Sequence, residues 1–327
     1  MAPSQYRLAS ELVEMIHQNF QGFHPGYRGV HAQGRYYAAI FKATPEAKKL
    51  SRAAHLQGQP VPATVRHGHS PSGNPWVPAV SPSMAVKFYL PDGTVTDLIA
   101  ITIPVFFGRT PDEVLESLKT AKPDPATGKP DMKRAMEFLS TRPWIANAIK
   151  LAKAVPPPVS IAQTVFHAIH AFRFVNAADE VQYARYHWEP EAGVAGQSLE
   201  ELQKQPPSYL FEELEARLRK APPVVFNLVL QLAKDGDPLN DPTAPWPDDR
   251  PRVTIGRLEI TRTTTVEEIG DPVMLHDPTR LTDGIEASDD PILAVRRGVY
   301  EVSIAHRTGG WKGRLAALER DNSPFAI

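Results

Sequence analysis

The sequence predicts an α+β protein, with an antiparallel β core that carries its helices to one side. Three observations predict it. Strand-like runs come in two blocks with helical patterns between them, and no strand–helix–strand rhythm repeats along the chain. Asp92 and Gly93 fall between two of these runs, and that dipeptide marks a tight turn between antiparallel neighbours. The third is a set of 33 prolines in 327 residues, which punctuates the chain and confines helices to short stretches.

Taken in order, residues 5–19 read as an amphipathic helix with Leu8, Leu12, Met15 and Ile16 on one face. Strands are expected over 36–42, 64–66, 85–90 and 98–107. A helix starts at Thr110, a capping residue, with Pro111 at its first position. KPDPATGKPD (122–131) is a loop, helices fill 132–153, and VPPPVS (155–160) is a stiff connector. The second block expects strands at 167–174, 181–188, 224–233 and 252–262. A helical insert at 198–220 interrupts it, with Glu213–Arg217 and Glu215–Arg219 as supporting pairs one turn apart. No internal repeat and no phosphate-binding glycine loop is present.

Composition narrows the function classes. The formal net charge is −1, which offers nothing to nucleic acid or to an anionic membrane. The chain has no cysteine, which removes disulfides, thiolate ligation of haem, iron–sulfur clusters and cysteine-based zinc sites. No apolar run reaches membrane-spanning length, so no membrane span is expected. Residues 1–20 show no secretory leader. The expected location is the cytoplasm, or the periplasm if the start was processed.

Two segments carry the chemistry. In AVRRGVYEVSIAHR, Arg296 precedes Tyr300 by four residues, so on a helix both lie on one face. A guanidinium beside a phenol favours the phenolate, a hard anionic ligand used for haem iron. By itself this pair is also what a half-buried aromatic beside a surface charge looks like. Far upstream, GYRGVHAQGRYYAAIF (26–41) places His31 after Arg28 and Val30. His31 is either a core histidine with a satisfied ring or a base above a metal-bound peroxide. Elsewhere, His67 and His69 alternate along a strand and so face one side, a spacing that suits a metal. His167 and His170 have helical spacing inside a segment that reads as β. Neither pair has a third ligand nearby, and a non-haem iron or zinc enzyme is the minor alternative.

With both segments in view, the chain resembles the haem catalase superfamily, and among its members the small catalase-related peroxidases. RGVHAQG resembles the distal histidine motif, and GIEASDDPILAVRRGVYEVSIAHR the proximal signature. MAVKFYLPDGTVTDLIAITIPVFFGRTPDE resembles the block between them, and RFVNAADEVQYARYHWEPEAG and WPDDRPRVTIGRLEITR add further matches. The likeness covers roughly residues 20–310 in the family's order. It implies one domain over 1–327, a β-barrel over about 26–262 with helical inserts at 110–153 and 198–220, and a ligand-bearing helix over about 289–307. It implies haem, iron protoporphyrin IX of type b, with Tyr300 as the iron ligand and Arg296 bonded to its oxygen. His31 is then the distal acid–base, Val30 narrows the approach, and Phe106 belongs to the haem surroundings. Arg28, Arg66 and Arg307 hold the propionates, as a planar fork of donors suits a carboxylate.

The departures from the family matter as much. Ile101 stands where the family has a distal asparagine, with Thr102 beside it; a one-residue slip would turn Thr102 to the peroxide instead. Gly68 stands for a serine, His276 for a phenylalanine, and Val114 for an aromatic residue on the haem face. The resemblance with these changes implies a peroxidase that takes hydrogen peroxide or an organic hydroperoxide and an electron donor the sequence does not identify. A homodimer also fits the expectation. A true catalase and a lipid hydroperoxide isomerase or lyase are the enzymatic alternatives. A barrel that only holds haem or an apolar ligand is the non-enzymatic one.

Overall fold

The computed structural model describes residues 3–19, 28–69, 81–123 and 131–309. Residues 26–27 of the upstream histidine segment and 124–130 of the expected loop lie outside the described residues. Among the described residues, ten strands form one antiparallel sheet: β1 (Gln33–Ala43), β2 (Val61–His69), β3 (Ser83–Tyr89), β4 (Val95–Ile101), β5 (Phe166–His167), β6 (Phe172–Val175), β7 (Val181–Pro190), β8 (Val224–Leu232), β9 (Arg252–Thr264) and β10 (Ile285–Ala287). The order β1-β2-β3-β4-β5-β7-β8-β9 closes through a β9–β1 ladder, so the sheet is a barrel. Strands β6 and β10 extend it beside β7. The expected α+β class and its antiparallel barrel are what the chain forms.

Alternation decides which side chains enter the barrel. On β1, Tyr37, Ala39, Phe41 and Ala43 point in and are buried. They meet Phe88, Phe166, Trp188 and Phe226 from the other walls, all fully buried. Each buried aromatic of this kind contributes roughly 1.5–3 kcal/mol. Phe41 fits because its neighbour on β9 is Gly256: a Cβ there would lie 2.2 Å from the ring. Gly256→Ala would overpack this spot, a change that costs about 1–3 kcal/mol.

The helices stand against the outside of the barrel. α1 (Pro3–Asn19) lies between α3 (Pro111–Ala121) and α9 (Pro291–Arg307). Leu12 joins Val114, Leu115, Leu118 and Ile292 in one cluster, and Ala9 and Val13 join Val302 in another. Thr110 caps α3 by accepting from the Glu113 amide at 3.2 Å, with Pro111 at the first turn. Asp290 caps α9 by accepting from the Ile292 and Leu293 amides. The other helices are α2 (Ala47–Leu50), α4 (Met132–Ser140), α5 (Pro143–Ala154), α6 (Leu199–Gln203), α7 (Tyr209–Lys220) and α8 (Val266–Ile269).

Three expectations need correction. The strand expected over 98–107 ends at Ile101; Pro104 has no amide to give a ladder, and the Phe106 amide donates to the Pro242 carbonyl instead. The strand expected over 167–174 is two short strands, β5 and β6, separated by residues 168–171. In α7, Arg217 does pair with Glu213 at 2.7 Å, but Glu215 pairs with Arg35 from β1 rather than with Arg219. A cross-element partner on the barrel outcompeted a local one.

Candidate active site

The outer face of β2, β3 and β4, the 28–31 segment and helices α1, α3 and α9 enclose a cavity of about 460 Å³. That lies within the range of about 300–1,000 Å³ usual for small-molecule and cofactor sites. His31, Val30, Arg28, Arg66, Ile101, Phe106, His276, Arg296, Tyr300 and Arg307 all line it. These residues lie as far apart as 28 and 307 in the chain, and the fold brings them to one space.

Tyr300 sits on α9 one turn beyond Arg296, and Arg296 Nη2 donates to its phenol oxygen at 2.6 Å. Arg296 Nη1 meets His170 Nε2 at 3.2 Å, and His170 Nδ1 meets Asp290 Oδ2 at 2.7 Å. Arginine only donates. His170 Nε2 must therefore accept, which places the ring's proton on Nδ1, where it is given to Asp290. Burial holds His170 below the usual histidine range, consistent with a neutral ring. Every bond in this chain has a fixed direction, and it ends on the Tyr300 oxygen. Asp290 does two jobs, since one oxygen caps α9 and the other orients His170.

The opposite wall is built differently. Ile99, Ile101 and Ile103 line the cavity. Thr102 does not line the cavity, and its hydroxyl is 3.1 Å from that of Ser81. The register thus answers the choice between Ile101 and Thr102, and the aliphatic side chain is the one that faces in. His31 has φ +52°, an unusual backbone for a residue other than glycine. Its carbonyl accepts from Arg66 Nη2 at 2.9 Å, which ties this bend to β2. Val30 is exposed at the same corner, and the Phe106 ring packs tilted against Phe107 with ring centres 4.4 Å apart.

Three arginines converge at one edge. Arg28 donates to the Tyr36 hydroxyl at 3.3 Å and to the Met274 carbonyl, and Arg307 donates to the Val273 carbonyl at 2.6 Å. Arg66 reaches them only because residue 34 is glycine: a Cβ there would lie 2.2 Å from its Nη2. Burial and the neighbouring Arg28 push Arg66 down to about 9 and Arg307 down to about 10. Burial alone would push Tyr36 up, but Arg28 and Arg66 outweigh it and leave Tyr36 below its usual range. Three guanidinium groups crowded together make an edge suited to anionic groups. Arg66 Nε and His276 Nε2 are buried with no protein partner among the described residues. These features fit the haem that the sequence resemblance implies: a phenol oxygen with a donor behind it, guanidinium forks for two carboxylates, and an apolar chamber between.

Among the histidines weighed as metal ligands, His67 faces the barrel core, beside the Tyr37, Phe166 and Phe226 rings. The His69 side chain lies outside the described residues. His167 turns to His187 at 2.8 Å while His170 turns to Asp290, so that pair is split. No group of three His, Cys, Asp or Glu residues able to hold a metal ion occurs among the described residues. Sequence reasoning weighed His170 only as a metal ligand, and it missed Asp290 and Tyr36. Asp290 before Pro291 carries a capping signal, but nothing in the sequence links it to a histidine 120 residues away.

The chain is similar to catalases and to catalase-related peroxidases. The family model described as Catalase matches residues 12–317. A catalase-related peroxidase of Mycolicibacterium paratuberculosis is 38% identical over 299 residues, covering 90% of this chain and 93% of the relative. One from Synechococcus elongatus is 32% identical, covering 88% and 86%. A catalase of Pseudomonas aeruginosa is 29% identical, and the match takes in 86% of this chain but 57% of that longer protein. A fungal catalase crystal structure superposes with a TM-score of 0.76 at 21% identity, over 88% of this chain and 60% of that one, which speaks to the fold alone.

Proposed function

The chain belongs to the catalase family, and on that premise we propose a haem b peroxidase whose iron ligand is Tyr300 and whose acid–base group is His31. The coarser statement, a haem-dependent oxidoreductase acting on peroxide, follows from the family and its catalase-related peroxidase members. The observation that carries the finer reading is the directed chain Asp290–His170–Arg296–Tyr300 on one side of a cavity that has His31 on its lining. When bound, haem supplies the redox-active iron at which the peroxide O–O bond is broken. Tyr300 offers its oxygen to that iron, and Arg296 keeps a donor on the same oxygen. Arg28, Arg66 and Arg307 hold the two carboxylates and so fix the orientation of the ring. His31 takes the proton from the inner peroxide oxygen and returns it to the outer one. Ile101 keeps water away and adds no donor, so a bound peroxide relies on His31.

The aliphatic wall of Ile99, Ile101 and Ile103 favours an organic hydroperoxide over hydrogen peroxide, and an outside electron donor over a second peroxide. The test is an absorption spectrum with haem-type analysis, followed by assays with hydrogen peroxide and with an organic hydroperoxide. Expected are haem b, dye oxidation with both peroxides, and little oxygen evolution. Colourless protein, or oxygen evolution near the diffusional ceiling of roughly 10⁸ per molar per second, would overturn the peroxidase reading.

A further inference from the structure

Residues on four neighbouring strands form one row across the sheet. Gly68 of β2 is the direct partner of Ser83 of β3, Ser83 of Ile101 of β4, and Ile101 of His167 of β5. Residues directly opposite in an antiparallel pair put their side chains on the same face. That face is the cavity side, since Ser83, Ile101 and His167 all line the cavity. His31 stands over the Gly68 end: its Cβ is 3.0 Å from where a Cβ at 68 would lie. His167 closes the other end, three strand spacings away, roughly 14 Å. One cavity thus has an imidazole at each end and the aliphatic Ile101 between them. Peroxide chemistry at His31 leaves the second imidazole without a task.

His167 is held from behind. The row continues to His187 of β7, its direct partner, and the two Nδ1 atoms are 2.8 Å apart. That bond takes up Nδ1 and leaves Nε2 as the polar atom His167 has for the cavity. Burial lowers His167 to about 4 and His187 to about 2, so both rings are neutral near pH 7. The one proton between them can belong to either ring. When His167 carries it, Nε2 is a bare acceptor.

We infer that His167 is the contact and proton acceptor for the reducing co-substrate, and that this co-substrate is a phenol. The inference rests on the peroxidase reading, which calls for an outside electron donor. A phenol suits this end of the cavity on two counts. Its hydroxyl can donate to Nε2, and its ring suits the apolar side chains of Ile101 and Ile169, which line the cavity beside His167. The step balances. The phenol O–H bond breaks, its proton goes to His167 Nε2, and its electron goes to the haem oxidised by peroxide. Two phenols serve each peroxide, and their two protons match those consumed as the peroxide becomes water. An oxidised phenol is a strong acid, so even a weakly basic imidazole takes its proton. The protonated ring then gives its Nδ1 proton's hydrogen bond to His187. Peroxide at His31 and phenol at His167 do not compete for one base.

The test compares two donors in haem-loaded protein. Guaiacol, a phenol, gives up a proton with its electron, and ferrocyanide gives an electron alone. The readout is the rate at which each donor returns peroxide-treated protein to its resting spectrum, which isolates the donor step from the peroxide step. His167→Phe keeps a ring in place without nitrogens. His167→Gln keeps a partner for His187 and can bond a hydroxyl, but cannot take its proton. Expected is a guaiacol-to-ferrocyanide rate ratio that falls about a hundredfold in the Phe variant, the lower end of general acid–base help. The Gln variant should recover affinity for guaiacol but little of the rate. A ratio equal to the parent's in either variant, whether both donors slow together or neither does, overturns the role of His167. A parent that oxidises neither donor overturns the peroxidase reading itself.

Discussion

The two walls of the cavity are built on opposite principles. The α9 side is polar in depth: Asp290, His170, Arg296 and Tyr300 form a chain in which each donor and acceptor is determined by the next. The β4 side is aliphatic, and the hydroxyl of Thr102, just past the end of that strand, meets Ser81. A site that must hold one oxygen in a fixed electrostatic state needs a rigid polar chain behind it. A site that must admit a substrate of variable shape needs apolar walls and one well-aimed base. The difference teaches that this molecule places a directed chain of buried polar groups on the α9 wall and leaves the β4 wall aliphatic.

The largest test breaks the polar wall at its end. Tyr300→Phe should abolish stable haem loading or change the visible spectrum. Unchanged haem content and spectrum would refute the ligand assignment. Next comes the base on the other side. His31→Ala should keep haem and lose about a hundred- to ten-thousand-fold in peroxide turnover, the usual worth of general acid–base help. Full activity with haem retained would remove His31 from the mechanism.

The arginine edge joins the two walls. Arg66→Ala should release haem faster by two orders of magnitude or so, because a partly buried carboxylate loses its partner, a defect worth about 3 kcal/mol or more. Arg66→Lys should recover only part, since an ammonium lacks the fork. Haem dissociation into an acceptor protein measures both, and a parent-like rate for the Ala variant speaks against the cradle.

A fourth prediction concerns acid and sets the polar chain apart from the barrel core. Burial lowers His55 to about 4 and His67 to about 3. Each ring is neutral when folded and titrates near 6.5 when unfolded. The unfolded chain therefore binds more protons below pH 6.5, so stability is full above that value and falls as pH drops towards 4. The slope is about 1.4 kcal/mol per pH unit for each such histidine. Asp97, raised to about 6 by burial, works in the opposite direction in the same window, one carboxyl against two imidazoles. Urea unfolding as a function of pH measures the slope, and His55→Leu should flatten it. A midpoint that does not move between pH 7 and 5 rules this account out.

The smallest effect is expected from giving the permissive wall an amide. Ile101→Asn should raise oxygen evolution relative to dye oxidation by a few-fold, in line with one added hydrogen bond of about 1 kcal/mol. A falling ratio would mean that the aliphatic wall is not what limits reaction with a second peroxide.

Much of this was legible in the residues. Period-two runs and Asp92-Gly93 predicted antiparallel strands, and Thr110-Pro111 predicted a helix start that the Glu113 amide bond bears out. Arg296 and Tyr300 meet at 2.6 Å because a helix brings residues four apart onto one face, a purely local rule. Such features depend on neighbours along the chain, and sequence displays those neighbours directly. The partners of His170 and Glu215 are a different matter. His170 reaches across 120 residues to Asp290, and Glu215 crosses 180 residues to Arg35, leaving Arg219 one turn away. Whether Ile101 or Thr102 faces the cavity turned on a single step of strand register, because successive side chains in a strand point to opposite faces. The closed barrel set that step, and with it the chemistry of the wall. The sequence by itself determined which residue types were present and how they lie along each strand and helix. Only the tertiary structure decided which of them share a hydrogen bond, because that depends on long-range approach and on the few unspent protons and lone pairs left after local bonds are made.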